Sequence, residues 1–333
     1  MTKIAILIII ICISCIADVF LQNEQLDSVQ LDLVKQKYSS AQKKLSNYLQ
    51  KNPNDINALY LHLAVYQTEI LDYESYHVDS PKYITVADSI KSVLEKRIVS
   101  LKGKDSLICL FYLANVYGGI SLMHAKTGNW IDGVKCGMNS VSLLKQVKKA
   151  LPSFYAAYLG IGVFNYYFST SLHWLPFANG RWQEGLSNIE TAVNSEFPFN
   201  YAAKNSLCWI LIERKDYKRA DSIATSVLLE FPYNTIFLRI KALVNLRCGN
   251  YQEAIKNASL LLSLSQVRDP VNWSDFVASY YILVESYFQS GMISEMRCAA
   301  DAILKEEIPQ DYSSVPHIKK NLKCIKEHRE EVR

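Results

Sequence analysis

The phrases GNYQEAIKNA (Gly249–Ala258) and KDYKRADSIA (Lys215–Ala224) are nearly the same, written 34 residues apart, and a looser copy, GNWIDGVKCG, begins at Gly128. A fixed internal period of this size constrains a chain more than its composition does. Each copy is one supersecondary unit that cannot bury its apolar face alone, so neighbouring copies must stack. Within FPFNYAAKNSLCWILIERKDYKRADSIATSVLLEFPYN (Phe197–Asn234), Pro198 and Pro232 share the 34-residue interval, and Ala220 shares it with Ala254. Leu207, Cys208 and Leu211 fall on one face of a first helix; Ala220, Ala224 and Val227 fall on one face of a second. Two antiparallel helices approach closely only through small side chains, so Cys208 is expected against Ala220 and Ala224. Proline cannot continue a helix, so Pro232 ends the hairpin. The aromatic after each turn, Tyr217 or Tyr251, is expected to wedge between successive units.

The same frame recurs elsewhere. Ala41, Leu45 and Pro53 keep the interval from small residue to proline, and NPNDINALYLHLAVY (Asn52–Tyr66) then opens a new helix. Leu110, Leu113, Ala114 and Tyr117 read as a first helix that runs on to Gly128, about two turns longer than usual. Tyr280, Leu283, Val284 and Tyr287, followed by Gly291, Met296, Ala300 and Ile303, form the last clear pair. Glycine (12) and proline (9) are sparse for 333 residues, and alternating strand patterns do not recur, which argues against a sandwich or barrel.

This period, with its small residues, aromatics and closing proline, resembles the tetratricopeptide repeat. The resemblance implies an all-α fold, an α-α superhelix (solenoid) of about six helical hairpins over residues 25–310. A C-terminal helix over 311–333, rich in Lys and Glu, would cap the array with a polar face. A second resemblance rests on FNYYFSTSLHWLPF (Phe164–Phe177). It links the chain to tetratricopeptide proteins with long first helices, among them exported bacterial proteins and inclusion-body-clearance relatives, and it implies no catalytic residues.

The first residues read as a targeting signal, 1–17. Lys3 precedes the unbroken apolar stretch Ile4–Ile13, shorter than the roughly 20 residues that span a bilayer. Cys15 and Ala17 suit release of a soluble chain starting at Asp18, whereas CISC (Cys12–Cys15) resembles a lipobox that would leave Cys15 lipidated. Both routes imply export to a bacterial periplasm or an outer-membrane-associated lipoprotein. The six remaining cysteines, Cys109, Cys136, Cys208, Cys248, Cys298 and Cys324, form no CxxC pair and mostly take apolar positions, so they are expected as buried free thiols.

No enzyme signature emerges. The six histidines are scattered, with neither HExxH nor His/Cys metal spacing, and GxSxG and the P-loop are missing. The expected class is therefore non-enzymatic, with no cofactor. The net charge of +4 is too mild and dispersed for a nucleic-acid footprint. A superhelical array offers an extended face lined by its first helices, where a protein or peptide partner would lie. Candidate lining residues are Lys204, Asn205, Arg239 and Asn245, with Tyr201 and Tyr280 beside them. Arginine and asparagine hydrogen-bond an extended backbone or carboxylate, and tyrosine adds rigid apolar area. The alternative is a small-molecule or glycan receptor that uses the aromatic insertion 169–182, with Trp174 and Trp182, as a lid. Gly160 and Gly162, on the helix before that insertion, are expected at close helix contacts.

Overall fold

The structure, a computed structural model, describes residues 23–171, 180–197 and 200–331. The targeting signal with Cys15, most of the insertion with Trp174, and Pro198 lie outside the described residues. Those residues hold sixteen helices and no strand. They are α1 Glu24–Val34, α2 Tyr38–Lys51, α3 Ile56–Tyr73, α4 Tyr76–Ile98, α5 Gly103–Lys126, α6 Trp130–Ala150, α7 Tyr155–Ser171 and α8 Arg181–Val193. There follow α9 Asn200–Glu213, α10 Tyr217–Glu230, α11 Thr235–Arg247, α12 Tyr251–Gln266, α13 Trp273–Gln289, α14 Ile293–Ile303, the single turn α15 Gln310–Ser313, and α16 Pro316–Glu331. Taken two by two, α1 to α14 make seven hairpins, so the fold is all-α and built as the repeat implied.

Six of the hairpins share one turn. In it a residue one or two positions past the first helix takes a left-handed conformation, and the side chain two positions on opens the second helix. Gly249 (φ 77°) precedes Tyr251 in this way, and Gly291 (φ 71°) precedes Ile293. The Asn250 N–H reaches back to the Asn245 carbonyl at 2.9 Å and the Gly249 N–H to Leu246 at 3.2 Å, the Schellman arrangement that satisfies the last carbonyls of a helix. Gln36, Glu74 and Lys215 adopt the same conformation (φ 56°, 55° and 62°) ahead of Tyr38, Tyr76 and Tyr217. A side chain there costs about 1 kcal/mol relative to glycine. The turn at Lys215 was legible because the rest of its phrase matches; at Gln36 only the helix that follows, with Ala41 and Leu45, was legible, and at Glu74 neither was. The interval of 34 from Lys215 to Gly249 becomes 54 from Glu74 to Gly128, because α4 and α5 run to 23 and 24 residues.

The second helices bury one narrow stripe of small residues: Ala220, Ala224 and Val227 on α10, Ala254, Ala258 and Leu261 on α12, Met296, Ala300 and Ile303 on α14. Across the first of these hairpins the Cys208 thiol donates to the Ala220 carbonyl at 3.7 Å, as the spacing predicted. On α8 the stripe narrows to glycine. A Cβ on Gly185 would stand 2.6 Å from the Tyr166 nitrogen, and one on Gly162 would stand 2.7 Å from the Gly185 carbonyl oxygen. The helix backbones therefore touch, and only glycine fits.

The chain divides into two compact units. The first holds residues up to Glu69 together with Asp79–Ala203. Its core is aromatic: Tyr60 stacks on Tyr112 (centroids 4.3 Å), and Phe111 meets Phe154 edge-on at 4.8 Å. Two of the buried hydroxyls find partners, Tyr112 on Asn57 Oδ1 at 2.7 Å and Tyr83 on Gln67 Oε1 at 2.9 Å, whereas the Tyr66 hydroxyl is buried without one. Helix α5 is long and apolar enough to cross a membrane by composition, yet its face of Cys109, Phe111, Tyr112, Val116 and Ile120 is buried within the unit. It reads as a core helix.

The second unit holds Lys204 onward together with one upstream segment, Ile70–Val78. Tyr251 packs into the cluster of Ala242, Leu246, Ala254, Ala258, Ile282 and Leu283, so it does wedge between one hairpin and the next. Helix α16 lays Ile318 and Ile325 against Phe276, Val277 and Val284 of α13 and turns most of its other side chains outward. All six cysteines of the described residues are free. Cys109 and Cys208 are buried, and burial pushes the Cys208 thiol up to about 12; Cys248 and Cys298 are exposed, contrary to expectation, Cys248 because it ends α11 beside the Gly249 turn and Cys298 because it lies on an outward face of α14.

Candidate functional site

Charged side chains concentrate in the second unit where α11 and α13 begin. Asn234 and Asn272 cap these helices, their side-chain oxygens accepting from the Phe237 and Asp275 amides. The caps hold Thr235, Ser274 and Asp275 facing the upstream segment. Arg239, one turn into α11, donates through Nη1 to Glu74 Oε1 at 3.1 Å and to Ser274 Oγ at 2.9 Å, with Asp275 Oδ1 at 3.6 Å. Its guanidinium also lies 5.7 Å from the Trp209 ring. Arg268, in the loop before α13, donates to Asp72 Oδ2 at 2.8 Å and to Thr235 Oγ1 at 3.3 Å, and covers the Tyr73 ring at 4.5 Å. The Asn272 amide donates to both the backbone oxygen and Oδ1 of Asp72. From the start of α16, His317 Nε2 comes within 2.7 Å of Glu74 Oε2, off the line of a hydrogen bond.

Asp72 and Asp275 are almost fully buried, with side-chain exposures of 1% and 2%. Burial and the neighbouring Asp72 push the Asp275 carboxyl up to about 7, against the pull of Arg239 and Arg268. Burial pulls the Arg239 guanidinium down, but Glu74 and Asp275 more than offset it and hold the charge above its usual range. Glu74 holds Arg239 from its left-handed position in the turn between α3 and α4.

A carboxyl whose folded value lies above its unfolded one contributes stability that is complete below about 4 and is lost as pH rises toward 7. The groups facing Asp275 are Asp72, Arg239 and Arg268. His62 of the first unit, held below the usual histidine range by burial, contributes an opposite slope. The clean readout is therefore a difference: between pH 4 and 7, wild type loses a few kcal/mol relative to Asp275→Asn, at about 1.4 kcal/mol per tenfold in the ionisation constant. Urea unfolding of both proteins across that range measures it, and parallel curves would show that Asp275 does not titrate there.

The candidate lining residues fare differently. Arg239, expected on an open binding face, is instead committed to this cluster; its long side chain turns inward because two carboxylates wait there. Asn245 is buried as well, its amide on the Lys241 carbonyl at 2.9 Å and its backbone carbonyl capped by Asn250, so it supports a turn. Lys204 and Asn205 are half-buried on α9, Tyr280 packs into the α13–α16 cluster, and Trp182 is half-buried in the first turn of α8. Asp72, Glu74, Arg268 and Asp275 carried no periodic signal; only the Asn272-x-x-Asp275 cap was readable.

In the first unit, helix α6 displays Trp130, Ile131 and Met138 at 57%, 84% and 59% exposure. Ile131 and Met138, seven residues apart, share one face. The buried stripe of the same helix, Gly133, Gly137 and Ser140, explains how it can be anchored and still show bulky apolar groups outward.

No protein-family profile matches the chain, and no curated protein matches it. Solved structures do. A chain of the crystal structure of the APC/C hetero-tetramer Cut9-Hcn1 is 13% identical, with a TM-score of 0.51 over 88% of this chain; this chain spans 48% of that one, about half its length. The C-terminal part of a TPR repeat-containing protein from Cytophaga hutchinsonii is 12% identical (TM-score 0.45), covering 89% of this chain and 99% of that one. A tetratricopeptide repeat protein from Parabacteroides merdae is 11% identical (TM-score 0.41), covering 91% and 100%. At these identities the likeness is one of fold: an all-α array of tetratricopeptide-like hairpins.

Proposed function

We propose that this chain is a non-enzymatic scaffold that holds a protein or peptide partner, exported to a bacterial cell envelope either as a soluble protein or through a lipid on Cys15. The observation that carries the reading is the exposed apolar stripe of α6. Trp130, Ile131 and Met138 stand outward on a helix whose other face is firmly packed, and exposed aromatic and apolar groups on one face mark interaction surfaces. The Cut9-Hcn1 assembly, in which a chain of similar fold joins a second protein, agrees with such a role. Lys204 and Asn205 remain a second contact position, whereas Arg239 and Asn245 are withdrawn because their side chains are engaged internally. The receptor reading gains no support from the described residues.

Photo-crosslinking in the native envelope tests this, with the crosslinker at 131 and, separately, at 204. A reproducible partner captured from 131 that is lost with Trp130→Glu, while the circular dichroism is unchanged, is the expected result. Capture from 204 alone moves the surface to α9, and no capture from either position removes the scaffold reading.

A further inference from the structure

Away from the buried cluster, α13 and α16 bring three different ligand types together. Cys324 and His328 are four residues apart on α16 and so share a face; Glu285 of α13 stands opposite. Their ligand atoms all lie within 4.8 Å of one another. His328 Nε2 is 2.9 Å from Glu285 Oε2, and the Cys324 sulfur is 3.6 Å from the same oxygen. In tetrahedral zinc sites, with metal–sulfur bonds near 2.3 Å and metal–nitrogen or –oxygen bonds near 2.1 Å, ligand atoms stand roughly 3.3–3.6 Å apart. The 3.6 Å sulfur–oxygen separation already matches, and the 2.9 Å nitrogen–oxygen pair has to open by roughly 0.5 Å to admit the ion.

The surroundings fit a metal as well. Phe288 stacks on the imidazole, centroids 4.1 Å apart and planes at 21°, which fixes the ring. The other ring nitrogen, Nδ1, is buried without a hydrogen-bond partner, and Glu331 Oε2 lies 3.5 Å from it. A small rotation gives the carboxylate–histidine–metal relay that sets the tautomer in many zinc sites. Gln289 donates to Glu285 Oε1 at 2.9 Å, orienting the carboxylate and leaving Oε2 for the ion. Helix α16 needs such a fastening: its fully buried apolar side chains are Ile318 and Ile325, worth about 1.5–3 kcal/mol each.

We propose that Glu285, Cys324 and His328 form a zinc site that staples the terminal helix to the array. On binding, the Cys324 thiol loses its proton to solvent and coordinates as thiolate, His328 coordinates through Nε2 with its proton on Nδ1 toward Glu331, and Glu285 supplies one oxygen. The fourth position is left to water or to a side chain of a partner.

Cobalt(II) titration of the full chain, reduced and metal-free, tests the site. The expected result is one equivalent bound, with visible bands of tetrahedral cobalt and a thiolate-to-cobalt charge-transfer band, all displaced by one equivalent of zinc. Cys324→Ser, which removes a half-buried thiol and one weak hydrogen bond, keeps the metal-free unfolding midpoint but loses the charge-transfer band. Glu285→Gln keeps that band and binds zinc at least tenfold more weakly. Zinc raises the thermal midpoint of wild type and not of Cys324→Ser. Absence of the charge-transfer band, its persistence in Cys324→Ser, or unchanged zinc affinity in Glu285→Gln overturns the proposal.

Discussion

Arg239→Met lowers the stability of the protein toward urea by about 3–5 kcal/mol, the usual penalty for leaving buried charge without its partner. Methionine keeps most of the side-chain volume, so the loss measures electrostatics rather than a cavity. With Arg239 gone, Glu74 and Asp275 lose the cation they share; Asp275 keeps Asp72 and Arg268 beside it, and Glu74 keeps His317. Adding Glu74→Gln recovers part of the loss, and the double-mutant cycle isolates the pair. A single variant within 0.5 kcal/mol of wild type would mean that the cluster contributes little.

Gly185→Val costs about 3 kcal/mol, at the upper end of ordinary overpacking, because the added atoms meet backbone. The Tyr166 nitrogen and the Gly162 carbonyl cannot rotate away, so α7 and α8 must separate along their length. Gly160→Ala supplies the contrast. Its new methyl meets only the tip of Leu144, at 2.5 Å, and a rotamer change clears it. That variant is neutral or gains up to about 1 kcal/mol from helix propensity. Equal losses in the two variants would refute the backbone-contact account. Gly160 stands on α7 ahead of the insertion and Gly185 on α8 after it, and what separates the two outcomes is whether the new atoms meet a side-chain tip or backbone.

What could be read from the chain was whatever is settled within one hairpin. Ala220 against Cys208, the turn before Tyr251 and the closing Pro232 depend on residues a dozen positions apart or fewer, so their spacing carried them. The turns at Gln36 and Glu74 escaped because, unlike at Lys215, no matching phrase follows the left-handed residue, although Ala41 and Leu45 marked the helix after the first of them. The α6 stripe was not visible: Trp130 stands after its turn where the pattern expects a wedged aromatic, and nothing local says that it, Ile131 and Met138 stay uncovered.

Sequence alone therefore determined the hairpin, its turn and the small residues at its seam, since helix periodicity and capping act over one or two turns. Tertiary structure decided the rest. Arg239 meets Glu74 across 165 residues of chain, Asn272 meets Asp72 across 200, and His328 meets Glu285 across 43. Each of these pairings depends on how stacked hairpins bring distant helix ends together, and the repeat period holds no record of it.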